Sequence, residues 1–216
     1  PEKRADKTGI DFDKYSKIDV EISGDNPVEP FSDWKEANLH EIILSNVDLS
    51  WYKKPTPVQK YSIPNCASGK DMMSCAQTGS GKTAGFLLPC IQSLISKPFP
   101  EIPRSEGRRP KIYPSSLIMA PTRELAIQIF EEAKKFTYWT GLRPVCVYGG
   151  QPIGNQLAEL ERGPVDIIIA TPGRLWDMIE RGRVSMQNIS YLVFDEADRM
   201  LDMGFEYQIH FLLLLL

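Results

Sequence analysis

Five short apolar runs, each followed at once by a polar or glycine-rich turn, most constrain how this 216-residue chain can fold. Helix-period segments separate most of them, and "RELAIQIFEEAKKF" carries an apolar stripe that suits packing against a sheet. Strands that alternate with helices predict an α/β fold with a parallel sheet covered by helices on both faces. The runs and their turns are DMMSC before AQTGSGKT, SLIMA before PTREL, VCVY before GGQ, DIIIA before TPGR, and YLVF before DEAD.

The polar turns all follow their predicted strands, so we expect them to meet at one edge of the sheet. Ligands of open α/β sheets bind at that edge. This arrangement would bring Lys82 and Asp195 together although they are far apart in the sequence. The sequence therefore predicts one site, built from several turns, at the carboxyl ends of the strands.

Charge and cysteine usage limit the classes of function. The net charge is -3, so any nucleic-acid binding requires a local surface and not a basic field of the whole chain. The four cysteines form no C-x-x-C pair and are predicted to be buried free thiols, as in a reducing compartment. The polar N-terminus predicts no signal peptide, and no apolar run approaches the length of a membrane span. We expect an intracellular protein that works in the cytoplasm, and the nucleus is the alternative location.

Three segments outside the repeating pattern receive simpler interpretations. Residues 1–30 are polar and predict an extended N-terminal arm. A short helix is predicted from Asn38, with Glu41 as a reciprocal cap. Residues 97–114, with five prolines and five cations, favour a solvated connection over a loop that touches RNA.

"AQTGSGKT" matches most of the phosphate-loop pattern of P-loop NTPases, with Ala76 in place of the first glycine. Gly79 and Gly81 allow the backbone to curl so that its N–H groups point at phosphate, beside a helix N-terminus. Lys82 would reach the β and γ phosphates, and the Thr83 hydroxyl would bind Mg²⁺. The alternative is an ordinary Gly-Ser-Gly turn. The predicted phosphate-binding residues are Thr78, Gly79, Ser80, Gly81, Lys82 and Thr83.

"YLVFDEAD" places two carboxylates directly after an apolar run that predicts a buried strand. Asp195 would hold Mg²⁺ through water, and Glu196 would position and deprotonate the attacking water. Carboxylates at a strand end are also common caps, so this signal gains its weight from the phosphate loop. Together, Lys82, Asp195 and Glu196 predict the catalytic centre of a nucleoside triphosphatase.

The three remaining turns offer hydroxyl, N–H and guanidinium donors, which suit phosphate oxygens. They offer no array of side chains for reading base edges, so we expect sequence-independent binding of a phosphodiester backbone. Individually, the Thr-Pro pairs also fit helix caps and the arginines also fit salt bridges. A nucleoside kinase is the competing function, and these backbone-gripping turns argue against it. The residues predicted to bind this backbone, which the family resemblance described below implies to be RNA, are Pro121, Thr122, Arg123, Gly149, Gly150, Thr171, Gly173 and Arg174.

The stretch "PTPVQ" allows two interpretations. Thr56, Pro57 and Gln59 fit a helix start in which Gln59 forms the reciprocal arm of a capping box. Alternatively, Gln59 reads a ligand, because an amide can donate to and accept from the edge of adenine at once. We expect adenine selection to be the main role of Gln59, with the cap role secondary or absent.

With these motifs in this order, residues 31–210 closely resemble the DEAD-box RNA helicases. "GIDFDKYSKIDVEISG" and "RMLDMGFE" are most similar to the Vasa-like subfamily. The resemblance implies that residues 31–216 are the first RecA-like domain of a two-domain helicase, cut before the Ser-Ala-Thr motif. It implies that Tyr52 packs on adenine, with Phe31 as an upstream aromatic. It also implies that Asp198 contacts neighbouring motifs. Trp51 departs from the family, which often has Gly there.

The resemblance further implies ATP or ADP with Mg²⁺ as cofactors, and RNA and a second RecA-like domain as partners of a monomer. The expected function of the parent protein couples ATP binding and hydrolysis to RNA duplex unwinding. An ATP-gated RNA clamp that does not unwind is the alternative. The chain alone is expected to bind nucleotide and hydrolyse it slowly, because the second domain supplies an arginine finger.

Overall fold

A computed structural model describes residues 20–98 and 111–215 of the chain. Eight α-helices and four β-strands occur in these ranges, with one short 3-10 helix at Trp34–Glu36. The helices are α1 (Glu41–Leu49), α2 (Pro57–Ala67), α3 (Lys82–Ile95), α4 (Arg123–Phe136), α5 (Ile153–Leu160), α6 (Pro172–Glu180), α7 (Ala197–Asp202) and α8 (Glu206–Leu214). The strands are β1 (Ser116–Met119), β2 (Pro144–Val147), β3 (Ile167–Ala170) and β4 (Tyr191–Phe194).

The described residues form two compact units. The first comprises residues 20–97 and 135–140, and the second comprises residues 111–134 and 141–215. Within the first unit, α2 and α3 pack closely because Gly85 has no side chain. A Cβ atom at Gly85 would lie 2.7 Å from Ser62 Oγ, which donates a hydrogen bond to the Gly85 carbonyl. The helix that follows the phosphate loop is thereby fixed against the helix that begins at Pro57.

The second unit is built on a parallel sheet with the strand order β2-β3-β1-β4. Leu117 on β1 pairs with Ile168 on β3, and Ile168 pairs with Val145 on β2. These three side chains are buried in the apolar core that α5, α6 and α8 help to close. The prediction of an α/β fold with a parallel sheet is confirmed.

The prediction that DMMSC forms the first strand of the sheet is wrong. Residues 71–77 are in neither helix nor strand, and the side chain of Met73 is 89% exposed. Each of the four strands that do form contains the β-branched residue Val or Ile, which a pleated strand favours. The segment Asp71–Cys75 has no β-branched residue. The prediction required a strand of the sheet directly before the phosphate loop, and the structure has no strand there.

The run before the DEAD residues does form a strand, but the prediction that it is buried is wrong. Tyr191–Phe194 is only half-buried along its whole length. The reason is its position, since β4 pairs with β1 alone and lies at the edge of the four-stranded sheet. Asp195 still follows the strand directly, and its N–H donates to the Met119 carbonyl at 3.0 Å.

Helix ends follow the sequence in most places. The predicted ends near Gly69 and Gly182 are confirmed, since both glycines take positive φ just after α2 and α6. The predicted start at Asn38 is wrong, because α1 begins at Glu41 and His40 Nδ1 accepts from the Ile42 N–H at 3.2 Å. Asn38 itself has φ 51, which excludes it from the helix.

The predicted N-terminal arm and the proline-rich connection fall largely outside the described residues, which omit 1–19 and 99–110. Residues 20–30 are described and contain no helix or strand. This end of the arm is tied to α2, because the Val28 N–H donates to Asn65 Oδ1 at 2.9 Å. Asn65 Nδ2 returns a bond to the Val28 carbonyl.

The cysteines are free, as predicted, but only Cys90 is fully buried. Cys75 is exposed because the segment that carries it did not form the predicted strand. Burial and, to a smaller extent, the Glu131 carboxylate together raise the pKa of the Cys146 thiol on β2 to about 12. Within the described ranges, no helix has both the length and the apolar character that membrane crossing requires.

The exposure of Met73 leads to a stability prediction. We expect Met73→Ala to change the free energy of unfolding by less than about 0.5 kcal/mol, because the side chain contacts mainly solvent. Ile168→Ala, in the central strand β3, should lower it by about 2–5 kcal/mol, because it leaves a cavity in the core. Urea unfolding of the two variants beside the parent chain measures both values. A large loss for Met73→Ala would mean that DMMSC is a buried strand after all.

Candidate nucleotide and nucleic-acid site

The phosphate loop has the backbone that its sequence predicts. Gly79 and Gly81 both take positive φ, 80 and 92, and helix α3 begins at the next residue, Lys82. The first N–H groups of a helix have no partner within it, so they point out of this N-terminus toward any bound anion. Ser80 Oγ is buried in the loop without a hydrogen-bond partner among the described residues. The loop therefore offers donors that a phosphate group can satisfy.

Lys82 closes the loop on itself. Its Nζ donates to the Ala76 carbonyl at 2.6 Å, across the base of the loop. A bound phosphate would compete with this carbonyl for the ammonium group, which is already positioned beside the loop. Ala76, the departure from the phosphate-loop pattern, contributes its backbone oxygen here and not its side chain.

Gln59 connects the start of α2 to the phosphate loop. The side chain is fully buried, its Oε1 accepts from the Thr56 N–H at 2.9 Å, and its Nε2 donates to the Gly81 carbonyl at 3.1 Å. Gln59 therefore makes the reciprocal capping bond, so its cap role is not absent. That the cap role is secondary stays a prediction. Both ends of the amide have protein partners, and adenine recognition by Gln59 stays a prediction.

Gly81 is required for this contact in two ways. Its φ of 92 is a backbone conformation that side chains rarely adopt. A Cβ atom there would also lie 2.5 Å from Gln59 Nε2 and 2.9 Å from Thr56 Oγ1. The close approach of loop and helix therefore depends on the absence of a side chain at Gly81.

The two aromatics predicted to contact adenine are both buried within the first unit. Phe31 packs on Trp34 with ring centroids 5.7 Å apart, and Tyr52 meets the edge of Phe136 at 5.6 Å. Trp51 has φ 65, which gives a physical reason for the glycine that the resembling family often has there. Adenine contacts of Phe31 and Tyr52 stay predictions.

A cavity of about 730 Å³ lies beside the phosphate loop in the first unit. It is bounded by residues 20–25 of the arm, by α2 through Tyr61 and Asn65, and by residues 70–77. Ser80 is the one predicted phosphate-binding residue among those that line it. Its volume lies within the range of small-molecule sites, which is roughly 300–1,000 Å³.

The DEAD residues begin a helix of the second unit. Glu196 adopts the left-handed conformation, φ 54 and ψ 50, at the start of α7. Its carboxylate pairs with Arg199 at 3.2 Å, a partner that the sequence reasoning did not single out although it lies one turn further along the helix. Asp198 is exposed in the first turn of α7. A non-glycine residue in this conformation is a feature that functional sites often carry.

The other three predicted turns come together at the carboxyl edge of the sheet. The Gly149 N–H donates to Thr171 Oγ1 at 3.3 Å, so the hydroxyl joins two turns and does not cap its own helix. Arg174 donates to the Gln151 carbonyl at 2.7 Å, which adds a second link between the same turns. Thr171 keeps its hydroxyl proton as a donor. The prediction that these turns share one edge of the sheet is confirmed within this unit.

The arginines of these turns make contacts other than the salt bridges that were the alternative interpretation of their role. Arg123 is exposed and lies over the ring of Tyr148, 4.9 Å from its centroid. Arg174 Nη1 is buried without a hydrogen-bond partner among the described residues. Gln156 fixes the Tyr148 backbone through two bonds, of 3.1 and 2.9 Å. Tyr148 and Gln156 were missed, although Tyr148 directly precedes the Gly-Gly pair.

The remaining predicted residues of these turns have mainly backbone roles. Pro121 is buried, and Thr122 Oγ1 accepts from the Leu125 N–H at 3.3 Å in the first turn of α4. Gly150 has φ 77, and a Cβ atom at Gly173 would meet open space. Thr122 thus follows the helix-cap interpretation, whereas Gly150 and Gly173 leave the backbone accessible.

One buried carboxylate supports the sheet away from the candidate site. Asp166 Oδ2 accepts from the Arg143 N–H at 2.7 Å, just before β2. Burial raises the pKa of Asp166 above its usual range, and the hydrogen bond and charge of Arg143 partly offset that rise. In the described part of the chain, no group of three His, Cys, Asp or Glu side chains could hold a metal ion. Thr83 and Asp195 belong to different units, so their joint Mg²⁺ site stays a prediction.

Comparison with known proteins gives two findings. A family model described as DEAD/DEAH box helicase matches residues 56–216. The chain is also similar to a crystal structure of the RNA-helicase Prp28 from Chaetomium thermophilum bound to ADP, with 40% identity and a TM-score of 0.76. The match covers 87% of this chain and 44% of the Prp28 chain, so the chain spans less than half the length of that protein.

The position of Gln59 leads to a prediction with two readouts. Gln59→Ala removes the partners of the Thr56 N–H and the Gly81 carbonyl, so we expect the free energy of unfolding to fall by about 1–3 kcal/mol. If Gln59 also reads adenine, the variant should lose part of its preference for ATP over GTP. Urea unfolding measures the first effect and competition binding of the two nucleotides measures the second.

Gln128→Ala is the matched control, because Gln128 is exposed on α4 and should tolerate the change. Unchanged stability of Gln59→Ala would contradict the buried contacts. Lower stability with intact nucleotide preference would leave Gln59 a structural residue only.

Proposed function

The chain belongs to the DEAD/DEAH box helicase family, and from this premise we propose that residues 31–216 are the ATP-binding RecA-like domain of an RNA-dependent ATPase. A second RecA-like domain of the full-length protein would complete the enzyme. Within the family we propose the Vasa-like subfamily, on the segments that flank the core motifs. The parent couples ATP binding and hydrolysis to the separation of RNA duplexes.

The observation that carries this proposal is the phosphate loop. Two glycines with positive φ, a helix that begins at Lys82 and a buried hydroxyl without a partner at Ser80 are assembled in one turn. Such a turn binds phosphate through backbone N–H groups and the positive end of the helix dipole. The ADP of the similar Prp28 structure supports a nucleotide as the ligand.

The roles of the site residues follow from their chemistry. Lys82 would leave the Ala76 carbonyl and neutralise charge on the β and γ phosphates. Thr83 and Asp195 would hold Mg²⁺, which supplies charge neutralisation when bound. Glu196 would orient the attacking water and accept its proton, after its carboxylate is released from Arg199. The left-handed backbone at Glu196 sets the direction in which that carboxylate leaves the strand end.

RNA would bind along the carboxyl edge of the sheet in the second unit. The linked turns present the Thr171 hydroxyl, the guanidinium of Arg174 with its unpaired Nη1, and the exposed Arg123. Donors of this kind fix phosphates and carry no sequence information directly. We therefore propose that the parent protein binds RNA independently of sequence.

Coupling between the two ligands would arise from the second domain. If ATP and RNA both favour a closed arrangement of the two RecA-like domains, each raises the affinity of the other by the same factor. Hydrolysis then removes the preference and reopens the enzyme. We also propose a monomer that works inside the cell, where the free thiols of this chain stay reduced.

The proposal predicts a selective effect of Lys82→Ala on nucleotide binding by this chain. Removing the ammonium should weaken ATP and ADP by roughly tenfold or more, while adenosine, which has no phosphate, should bind almost unchanged. Isothermal titration with the three ligands measures the difference. Lys35→Ala is the control, because Lys35 is an exposed lysine of the same unit outside the loop. Equal losses for ATP and adenosine would contradict the phosphate role of Lys82.

A further inference from the structure

Two exposed tryptophans of the first unit occupy backbone conformations that disfavour them. Trp51 has φ 65 with 56% of its side chain exposed, and Trp139 has φ 58 with 79% exposed. The left-handed conformation is uncommon for bulky residues, and an exposed indole gains little from burial. Stability therefore does not account for either residue. Strained residues of this kind are frequent where a ligand is bound.

The two segments that carry these tryptophans are fixed to each other. Asn46, at the end of α1, donates through Nδ2 to the Phe136 carbonyl at 2.9 Å and to the Tyr138 carbonyl at 2.7 Å. The Tyr52 ring packs on the Phe136 ring. The Tyr138 and Trp139 rings meet edge to face with centroids 6.0 Å apart. We call residues 49–54 together with residues 135–140 the aromatic platform.

The charge of the aromatic platform has one sign. Lys53, Lys54 and Lys135 are exposed, and neither segment contains an Asp or a Glu. The whole chain has a net charge of -3, so this concentration of positive charge departs from the average of the molecule. Exposed flat rings beside cations attract a polyanion that also has flat apolar faces.

We propose that the aromatic platform binds a segment of single-stranded RNA, distinct from the RNA edge in the second unit. Bases stack on the rings of Trp51, Tyr138 and Trp139, and the lysines contact the phosphates. Base stacking on aromatic side chains is tolerant of sequence, which matches the lack of base-reading groups. The choice of RNA over an acidic peptide rests on the proposed function, because the chemistry of the platform alone would attract both.

The unusual backbone gives a clean test. Glycine adopts positive φ without strain, so Trp51→Gly and Trp139→Gly remove the stacking surface and relieve the backbone at the same time. We expect the double variant to keep or raise the melting temperature of the chain. Its affinity for a fluorescein-labelled oligouridylate, measured by anisotropy at low salt, should fall at least about tenfold. Lys53→Gln with Lys54→Gln should reduce the dependence of that affinity on salt.

Two variants separate this inference from the proposed function. Tyr207→Ala removes an exposed aromatic of the second unit and should leave oligouridylate binding unchanged. Arg174→Gln tests the RNA edge of the sheet. Unchanged binding by the tryptophan double variant, with a loss for Arg174→Gln, would overturn the aromatic platform and leave the proposed function intact. If the unsubstituted 216-residue chain binds ADP normally but does not bind oligouridylate, the proposed role of the aromatic platform is also contradicted.

A competitor tests the choice of ligand. Poly-glutamate of matched charge should displace oligouridylate only weakly, because it offers no rings to stack. Tighter binding of poly-glutamate, lost in the tryptophan double variant, would overturn RNA in favour of an acidic protein partner. Failure of the unsubstituted 216-residue chain to bind ADP would instead contradict the proposed function itself.

Discussion

The buried amide of Gln59 is the contact on which the candidate nucleotide site depends. It satisfies the Thr56 N–H at the start of one helix and the Gly81 carbonyl at the start of the next. An unmade hydrogen bond in a buried place costs about 1–3 kcal/mol, so loop and helix hold each other in position. Gly81 permits the approach because it has no side chain. The shape of the phosphate loop is therefore set partly by a residue more than twenty positions earlier.

The second unit uses the same principle with different groups. The turns after β2 and β3 are linked by Thr171 and by Arg174, each of which bonds to the backbone of the other turn. Parallel strands place these turns at one edge, and side chain to backbone bonds then fix their relative positions. The site residues are thus positioned before any ligand binds. Preorganised donors of this kind bind phosphate without reordering their own side chains.

The sequence predicts best where local chemistry and packing agree. Val- and Ile-rich runs such as Ile167–Ala170 form the predicted strands, and glycines such as Gly69 end helices as expected. DMMSC misled because its methionines suit several environments, and here Met73 is exposed. The half-burial of β4 depends on strand order, which apolar patterning does not contain.

The residue that caps a helix and the contact partners of the site residues were the features least predictable from the sequence. His40 caps α1 although Asn38 has the better cap propensity, because the backbone at Asn38 is left-handed. The Arg199 partner of Glu196 and the ring of Tyr148 under Arg123 depend on side-chain directions. Residue types at the right spacing therefore identified the motifs, whereas the contacts that position them required the three-dimensional structure.

Backbone amide NMR of this chain with Mg²⁺ and a non-hydrolysable ATP analogue tests the central claim most directly. The account predicts large chemical-shift changes at residues 78–83, with further changes at Asp195 and Glu196, the proposed Mg²⁺-binding and catalytic residues. Unchanged amides at residues 78–83, with shifts confined to the arm and to residues 70–75, would contradict it. The nucleotide would then occupy the cavity beside the loop, and the phosphate loop would not be its binding site.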